Sequence, residues 1–314
     1  MKLATFEQRG RPRLGAVIDG DDKIVELDAA FLRRHGRAEP ALASMLALID
    51  AGSAGRAVAD ALVADPPEED VLAVAAVQLL APIPEPRQIR DFLCFEEHLR
   101  NAFEQAGRLT GRTFEIPPVW YEQPIYYKAN RFSVVGPDTD VRWPAYAELL
   151  DYELELACII GTGGVDIARD EALGHVFGYT IFNDVSARDA QMREMAGQLG
   201  PAKGKDFDTG NVLGPWIVTA DEIGDPHDLT MVARVNGEEW SRGTSAAMHH
   251  RFEDVIAFVS KSETLYPGEV LGSGTVGTGC GLEQGRYLSP GDVVELEIDR
   301  IGVLRNQIVR KEPG

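Results

Sequence analysis

Residues 148–161 read ELLDYELELACIIG, with Glu148, Asp151, Glu153 and Glu155 inside eight positions and Ala-Cys-Ile-Ile directly after them. A solvated acidic surface does not need that apolar continuation, and a core strand does not favour those acids. Side chains on a strand alternate between faces. On that period Asp151, Glu153, Glu155, Ala157 and Ile159 share one face, and Tyr152, Leu154, Leu156, Cys158 and Ile160 share the other. Carboxylates two apart on a strand stand roughly 6.5–7 Å from each other and repel unless something positive lies between them. A hard divalent ion with oxygen ligands at about 2.0–2.6 Å fits that gap. An acidic edge facing water is the competing reading.

Two other segments carry matching chemistry. In NDVSARDAQ, Asp184, Arg188 and Gln191 stand at i, i+4 and i+7, which predicts one face of a helix. An acid, a guanidinium and an amide aimed one way suit a cation and an anionic substrate, although an ordinary surface ion pair has the same spacing. In RDFLCFEEHLRN, His98 borders an apolar stripe and Asp91 lies seven positions upstream. Beside metal-bound water His98 is a general base; alone it is a satisfied core histidine.

The rest of the chain frames these segments. It has 314 residues, 44% of them hydrophobic, and a formal net charge of −19. So negative a surface argues against nucleic acid and anionic membrane as partners. The N-terminal residues carry no apolar signal core and no window approaches a membrane span, so a soluble cytoplasmic enzyme is expected. Three scattered cysteines suit a reducing compartment and exclude a disulfide framework or a CxxC zinc site.

AVIDGDDKIVEL predicts a hairpin, and the Ala/Leu-rich stretch near 40–64 predicts a helix. Prolines 82, 84 and 86 mark a connector, dividing a small N-terminal α+β domain (1–82) from a larger one (83–314). Apolar positions 95, 99, 102, 103 and 106 predict a helix over 94–107 closed by Gly107. Residues 111–145 predict long loops with short strands. Later segments predict mostly strands, with a hairpin at Asn236-Gly237 and one helix near 247–260. Strands and helices do not alternate regularly, which argues for a strand-dominated α+β fold over a doubly wound sheet. GSGTVG at 272–277 matches a dinucleotide pattern, but the glycine-rich run after it lacks the required helix. It predicts tight backbone at a pocket wall. His249 and His250 have no metal-ligand pattern around them, and the aromatics at 120, 121, 126 and 127 predict packing more than a lid.

Together, RDFLCFEEH, YELELACIIG, FNDVSARDAQ, GKDFDTG, QPIYYKANRFSVVGP and LYPGEVLGSGTVGTG resemble the fumarylacetoacetate hydrolase family across roughly residues 87–309. The resemblance implies a mixed β-sheet roll or barrel with few helices, and a homodimer. It implies Asp91, Glu153, Glu155 and Asp184 as ligands of one Mg²⁺, with Ca²⁺ or Mn²⁺ as alternatives, and His98 as general base. Lys205, Arg188 and Gln191 would serve catalysis; Tyr127 and Thr275 would bind the substrate. Asp206 and Asp208 stand where the family often has Ser and Gly. The residue three after His98 is Asn101, not the glutamate many relatives carry there, which leaves Glu283 as the downstream candidate partner. The implied reaction is metal-dependent hydrolysis of a C–C bond in a 2,4-dioxo acid such as an acylpyruvate, as in aromatic catabolism. Oxaloacetate decarboxylation and dienoate isomerisation or hydration use the same apparatus. A non-catalytic cation-binding assembly module would keep the acids but have no use for His98, Arg188, Gln191 and Lys205.

Overall fold

A computed structural model describes residues 1–111 and 113–310. The N-terminal quarter supplies β1 (Lys2–Gln8), β2 (Arg11–Ile18), β3 (Lys23–Glu26), β4 (Val71–Ala73) and β5 (Gln78–Leu80). Then come β6 (Ile89–Phe92), β7 (Tyr126–Lys128), β8 (Val134–Val135), β9 (Val141–Arg142), β10 (Leu150–Asp151), β11 (Leu154–Ile160), β12 (Val176–Asp184) and β13 (Ser186–Ala187). The last strands are β14 (Asn211–Thr219), β15 (Thr230–Val235), β16 (Glu238–Thr244), β17 (Val270–Gly272), β18 (Val293–Ile298) and β19 (Gly302–Val309). The helices are α1 (Leu27–His35), α2 (Met45–Asp50), α3 (Gly52–Ala64), α4 (Glu96–Thr110), α5 (Pro118–Glu122), α6 (Arg188–Met195), α7 (Ala202–Lys205), α8 (Ala220–Ile223) and α9 (Phe252–Val259).

The large sheet runs β4-β3-β2-β1-β14-β12-β11-β17-β6-β7, and a second sheet runs β16-β15-β18-β19-β9. Both are mixed: β17 pairs β6 in parallel and β19 pairs β9 in parallel. Among the described residues the sheets stay open, so the roll half of the expected roll or barrel describes them. The N-terminal strands join the large sheet where β1 pairs β14, with Leu3 opposite Ile217.

Strand β11 sits inside that sheet between β12 and β17. Its alternation divides the protein interior. Leu154, Leu156, Cys158 and Ile160 pack into a core shared with the second sheet and α9. Ala157 and Ile159 pack into a core shared with α1, α2 and α3. Every residue of β11 is buried, so this strand is covered on both faces.

Several expectations shift. The stretch 40–64 is not one helix: Pro40–Leu42 forms a 3₁₀ turn, Ser44 caps α2 by accepting from Ala47 N at 3.1 Å, and Gly52 at φ 56° separates α2 from α3. The helix expected over 94–107 begins at Glu96, because Phe95 is still extended. It continues past Gly107 to Thr110, where Gly111 at φ 69° donates its N–H to Gly107 O at 2.8 Å. The hairpin at Asn236-Gly237 forms with φ 52° and 79°, a type I′ signature.

Candidate active site

Four carboxylates from three strands and one bridging residue converge beneath α4. Asp91 comes from β6, Glu155 from β11 and Asp184 from the last position of β12. Glu153 precedes β11, held by a lone antiparallel bridge to Cys280. One oxygen from each of the four lies within 4.8 Å of the others, and all four residues are buried. The backbone N–H of Gly274 donates to Glu155 Oε2 at 2.9 Å, and Gly272 brings bare backbone against the acids.

Asp184, Arg188 and Gln191 do not share a helix face. Asp184 ends a strand and Arg188 opens α6, so a strand-to-helix corner produces the spacing. Arg188 Nη1 still reaches Glu153 Oε1 at 2.7 Å and donates to Gln191 Oε1 at 3.0 Å. Asp91 likewise lies on a strand and not two turns back on the helix of His98. Asp151 leaves the acidic face altogether. β10 ends at Asp151 and β11 starts at Leu154, and the break turns Asp151 onto Arg188 at 2.8 Å and onto the N–H groups of Gly281 and Leu282 at 2.8 and 2.9 Å.

Lys205, at the end of α7, places its ammonium 2.6 Å from Glu153 Oε2 and 2.5 Å from Asp184 Oδ2. Tyr127 donates its hydroxyl to Asp184 Oδ2 at 2.8 Å. Thr275 is buried in the segment after β17, three residues beyond Gly272. The GSGTVG pattern leads into further turns and no α-helix, as a pocket wall requires.

These contacts leave negative charge over. Five buried carboxylates, Asp151 included, face two cationic side chains. Asp91 Oδ1, Glu155 Oε1 and Asp184 Oδ1 are each buried without a protein hydrogen-bond partner. Burial, then the charge of Asp91, pushes Glu155 well above the ordinary carboxylate range. Burial does the same to Asp184 against the pull of Lys205, and raises Asp91. Burial also opposes ionisation of Glu153, but Lys205 and then Arg188 outweigh it and hold that carboxyl low. Burial followed by the Asp184 charge keeps the Tyr127 phenol protonated. Buried charge demands a counter-charge. Three orphaned oxygens on carboxylates whose ligand atoms lie within 4.8 Å of one another, in an all-oxygen donor set, fit a hard divalent cation.

A second cluster lies alongside. His98, on the first turn of α4, approaches Glu283 Oε1 through Nδ1 at 2.8 Å. Glu283 is thus the partner of His98. Its other oxygen accepts from Asn101 Nδ2 at 2.8 Å and from Thr278 N at 2.7 Å. Asn101 therefore holds the glutamate that its own position lacks. Cys280 Sγ donates toward Glu283 Oε1 at 3.4 Å, a neighbour to which the sequence reading assigned no role. Glu153 lies within electrostatic reach of His98, so the two clusters adjoin. Two surface depressions lie away from these clusters, one of about 460 Å³ at Arg100, Phe103, Phe114 and Tyr121 and one of about 700 Å³ at Tyr121, Arg169, His249 and Lys261. His250 Nε2 donates to Trp120 O at 2.6 Å, and Trp120 is buried with Nε1 donating to Leu93 O, so both pack as structural groups.

Comparison with known proteins follows the same residues. The model of the fumarylacetoacetate hydrolase C-terminal family matches residues 87–309. A mitochondrial oxaloacetate tautomerase of Xenopus laevis is 34% identical over 314 residues, covering 98% of this chain and 90% of the relative. A fumarylacetoacetate hydrolase structure from the psychrophile Exiguobacterium antarcticum superposes with a TM-score of 0.77 at 31% identity, covering 99% of this chain and 100% of that one. Maleylpyruvate hydrolase from a Sphingobium species, solved with manganese(II) and pyruvate, superposes with a TM-score of 0.75 at 25% identity over 99% of this chain and 100% of the other. Among the described residues no helix is long and apolar enough to cross a membrane. The chain belongs to the fumarylacetoacetate hydrolase family.

Proposed function

We propose that the protein is a metal-dependent tautomerase of a small 2-oxo dicarboxylic acid of the oxaloacetate type. The observation that carries this reading is the His98–Glu283 pair beside the four-acid cluster. Tautomerisation needs a base that can take and return a proton at carbon, and a carboxylate-oriented imidazole is such a base. Decarboxylation of the same acid has no need of one. The named activity of the Xenopus relative favours the same chemistry.

Asp91, Glu153, Glu155 and Asp184 would hold the cation, with manganese, magnesium or calcium all suited to the oxygen set. When bound it supplies a Lewis acid that stabilises negative charge on the keto oxygen. His98 takes a proton from the carbon next to the keto group in the keto-to-enol direction and returns it in reverse. Glu283 orients the imidazole. Lys205 and Arg188 offset the carboxylates and admit an anionic substrate; Gln191, Tyr127 and Thr275 orient it. Exposed Met192, Met195 and Leu199 support the homodimer as part of this proposal.

Hydrolysis of an acylpyruvate is the second reading, favoured by the same pair, since His98 could instead take its proton from water. The two separate in one assay set: enol-to-keto conversion of oxaloacetate, and cleavage of maleylpyruvate and acylpyruvates, each with and without EDTA. Metal-dependent tautomerisation outpacing cleavage is expected, and His98→Ala loses about 10²–10⁴-fold. Cleavage without faster tautomerisation would install the hydrolase reading, and a fully active His98→Ala enzyme would remove the base from both.

A further inference from the structure

The cluster of His98, Cys280 and Glu283 has donors unlike the oxygen shell beside it: one imidazole nitrogen, one thiol sulfur and one carboxylate oxygen, all buried and within 4.8 Å of one another. The pairwise separations are 2.8 Å for Nδ1 to Oε1, 3.4 Å for Sγ to Oε1 and 4.0 Å for Sγ to Nδ1. In a tetrahedral zinc site, ligands at about 2.0–2.3 Å stand roughly 3.3–3.7 Å apart. The observed triangle brackets that range, and small side-chain rotations close the difference. Glu283 is already fixed for the task, because Asn101 and Thr278 N hold Oε2 and leave Oε1 turned to the histidine and the thiol. Three protein ligands leave the fourth position for water.

We propose that His98, Cys280 and Glu283 form a second metal site, selective for zinc or another thiophilic divalent ion, which switches the enzyme off when filled. The binding site rests on the geometry of the cluster alone, whereas the loss of activity on filling rests on the proposed role of His98 as base. The zinc ion takes Nδ1, and the proton that Nδ1 shares with Glu283 moves to Nε2. The thiol of Cys280 binds as thiolate and its proton leaves to solvent, so one proton is released per ion. Imidazole, thiolate and carboxylate then balance the +2 charge. With its nitrogens metallated and protonated, His98 has no lone pair left to act as a base.

X-ray absorption at the zinc edge tests this on the unaltered protein, loaded with one equivalent of zinc while excess Mg²⁺ keeps the oxygen site filled. A shell of one sulfur with nitrogen and oxygen is expected. A shell of oxygen and nitrogen alone would place the zinc among the four acids and overturn the proposal. A Cys280→Ser variant, compared with its own zinc-free rate, should need roughly tenfold or more zinc for half-inhibition. Equal sensitivity of variant and wild type would likewise overturn it.

Discussion

Asp151 and Glu153 stand two positions apart, yet the fold gives them different partners. Strict alternation puts both on one face, but the strand breaks between Asp151 and Leu154 and only Glu153 turns toward the cluster. Asp151 instead anchors Arg188, which then reaches Glu153. The acids themselves were legible from composition in a few positions; the break was not, because it is set by the bridge from Glu153 to Cys280 far along the chain. Glu283 shows the same limit. Its 185-residue separation from His98 hides it from any local pattern, and only the missing acid at position 101 hinted at a substitute. In the proposed reaction Glu283 would act as a positioning residue through its contact with His98. A charge-assisted hydrogen bond is worth about 1.5–3 kcal/mol, so Glu283→Gln should lower kcat roughly ten- to a hundredfold. Steady-state kinetics should show KM for oxaloacetate little changed and partial rescue by Glu283→Asp; a loss confined to KM would assign Glu283 to substrate binding instead.

At the scale of elements, the site is a corner where β6, β12 and β17 end and β11 begins. The glycine pattern 272–277 is what lets them meet. A Cβ on Gly272 would stand 2.6 Å from Asp91 Oδ1 and 2.8 Å from Glu155 Oε2. Either carboxylate would have to swing away. Gly272→Ala is therefore expected to weaken Mn²⁺ binding by about tenfold or more, as displaced ligands do. Isothermal titration of wild type and variant checks this; matched affinities would show that Asp91 or Glu155 lies outside the ion's shell. Strand identities were readable from period and turn residues, as the Asn236-Gly237 hairpin shows. Helix limits were less so: Gly107 carries the expected stop signal, but Gly111 takes the left-handed conformation that ends α4. The i, i+4, i+7 spacing of Asp184, Arg188 and Gln191 arose at a strand-to-helix corner, where sequence spacing cannot distinguish a corner from a continuous helix.

For the whole molecule, a cation held by the four acids would double as a structural element. The large sheet crosses from the N-terminal strands through β1 and β14 to the strands that carry the acids. Nothing in the first 80 residues announced that β1 would pair with Asn211–Thr219, because such pairing spans over 200 positions. Ligand at 100 times its Kd adds about 2.7 kcal/mol to stability, which a melting curve reads as several degrees. The pH dependence has a definite sign. Glu155 and Asp184 are raised in the folded state, so in metal-free protein their contribution is complete below the unfolded carboxylate value and is lost as pH rises through the folded values. Glu153 is lowered, so its contribution is present at neutral pH and lost only in acid. Cation binding displaces protons from Glu155 and Asp184. The gain in Tm from Mn²⁺ should therefore widen as pH rises from the ordinary carboxylate range toward the raised folded values. Differential scanning calorimetry over that range checks it, and a gain that shrank with pH would mean the acids do not hold protons when metal-free.

The most direct measurement is anomalous scattering from a crystal grown with Mn²⁺. One strong peak is predicted within bonding distance of oxygens from Asp91, Glu153, Glu155 and Asp184. A Mn²⁺-soaked crystal with no peak there, and those carboxylates still packed as they are, would contradict the account.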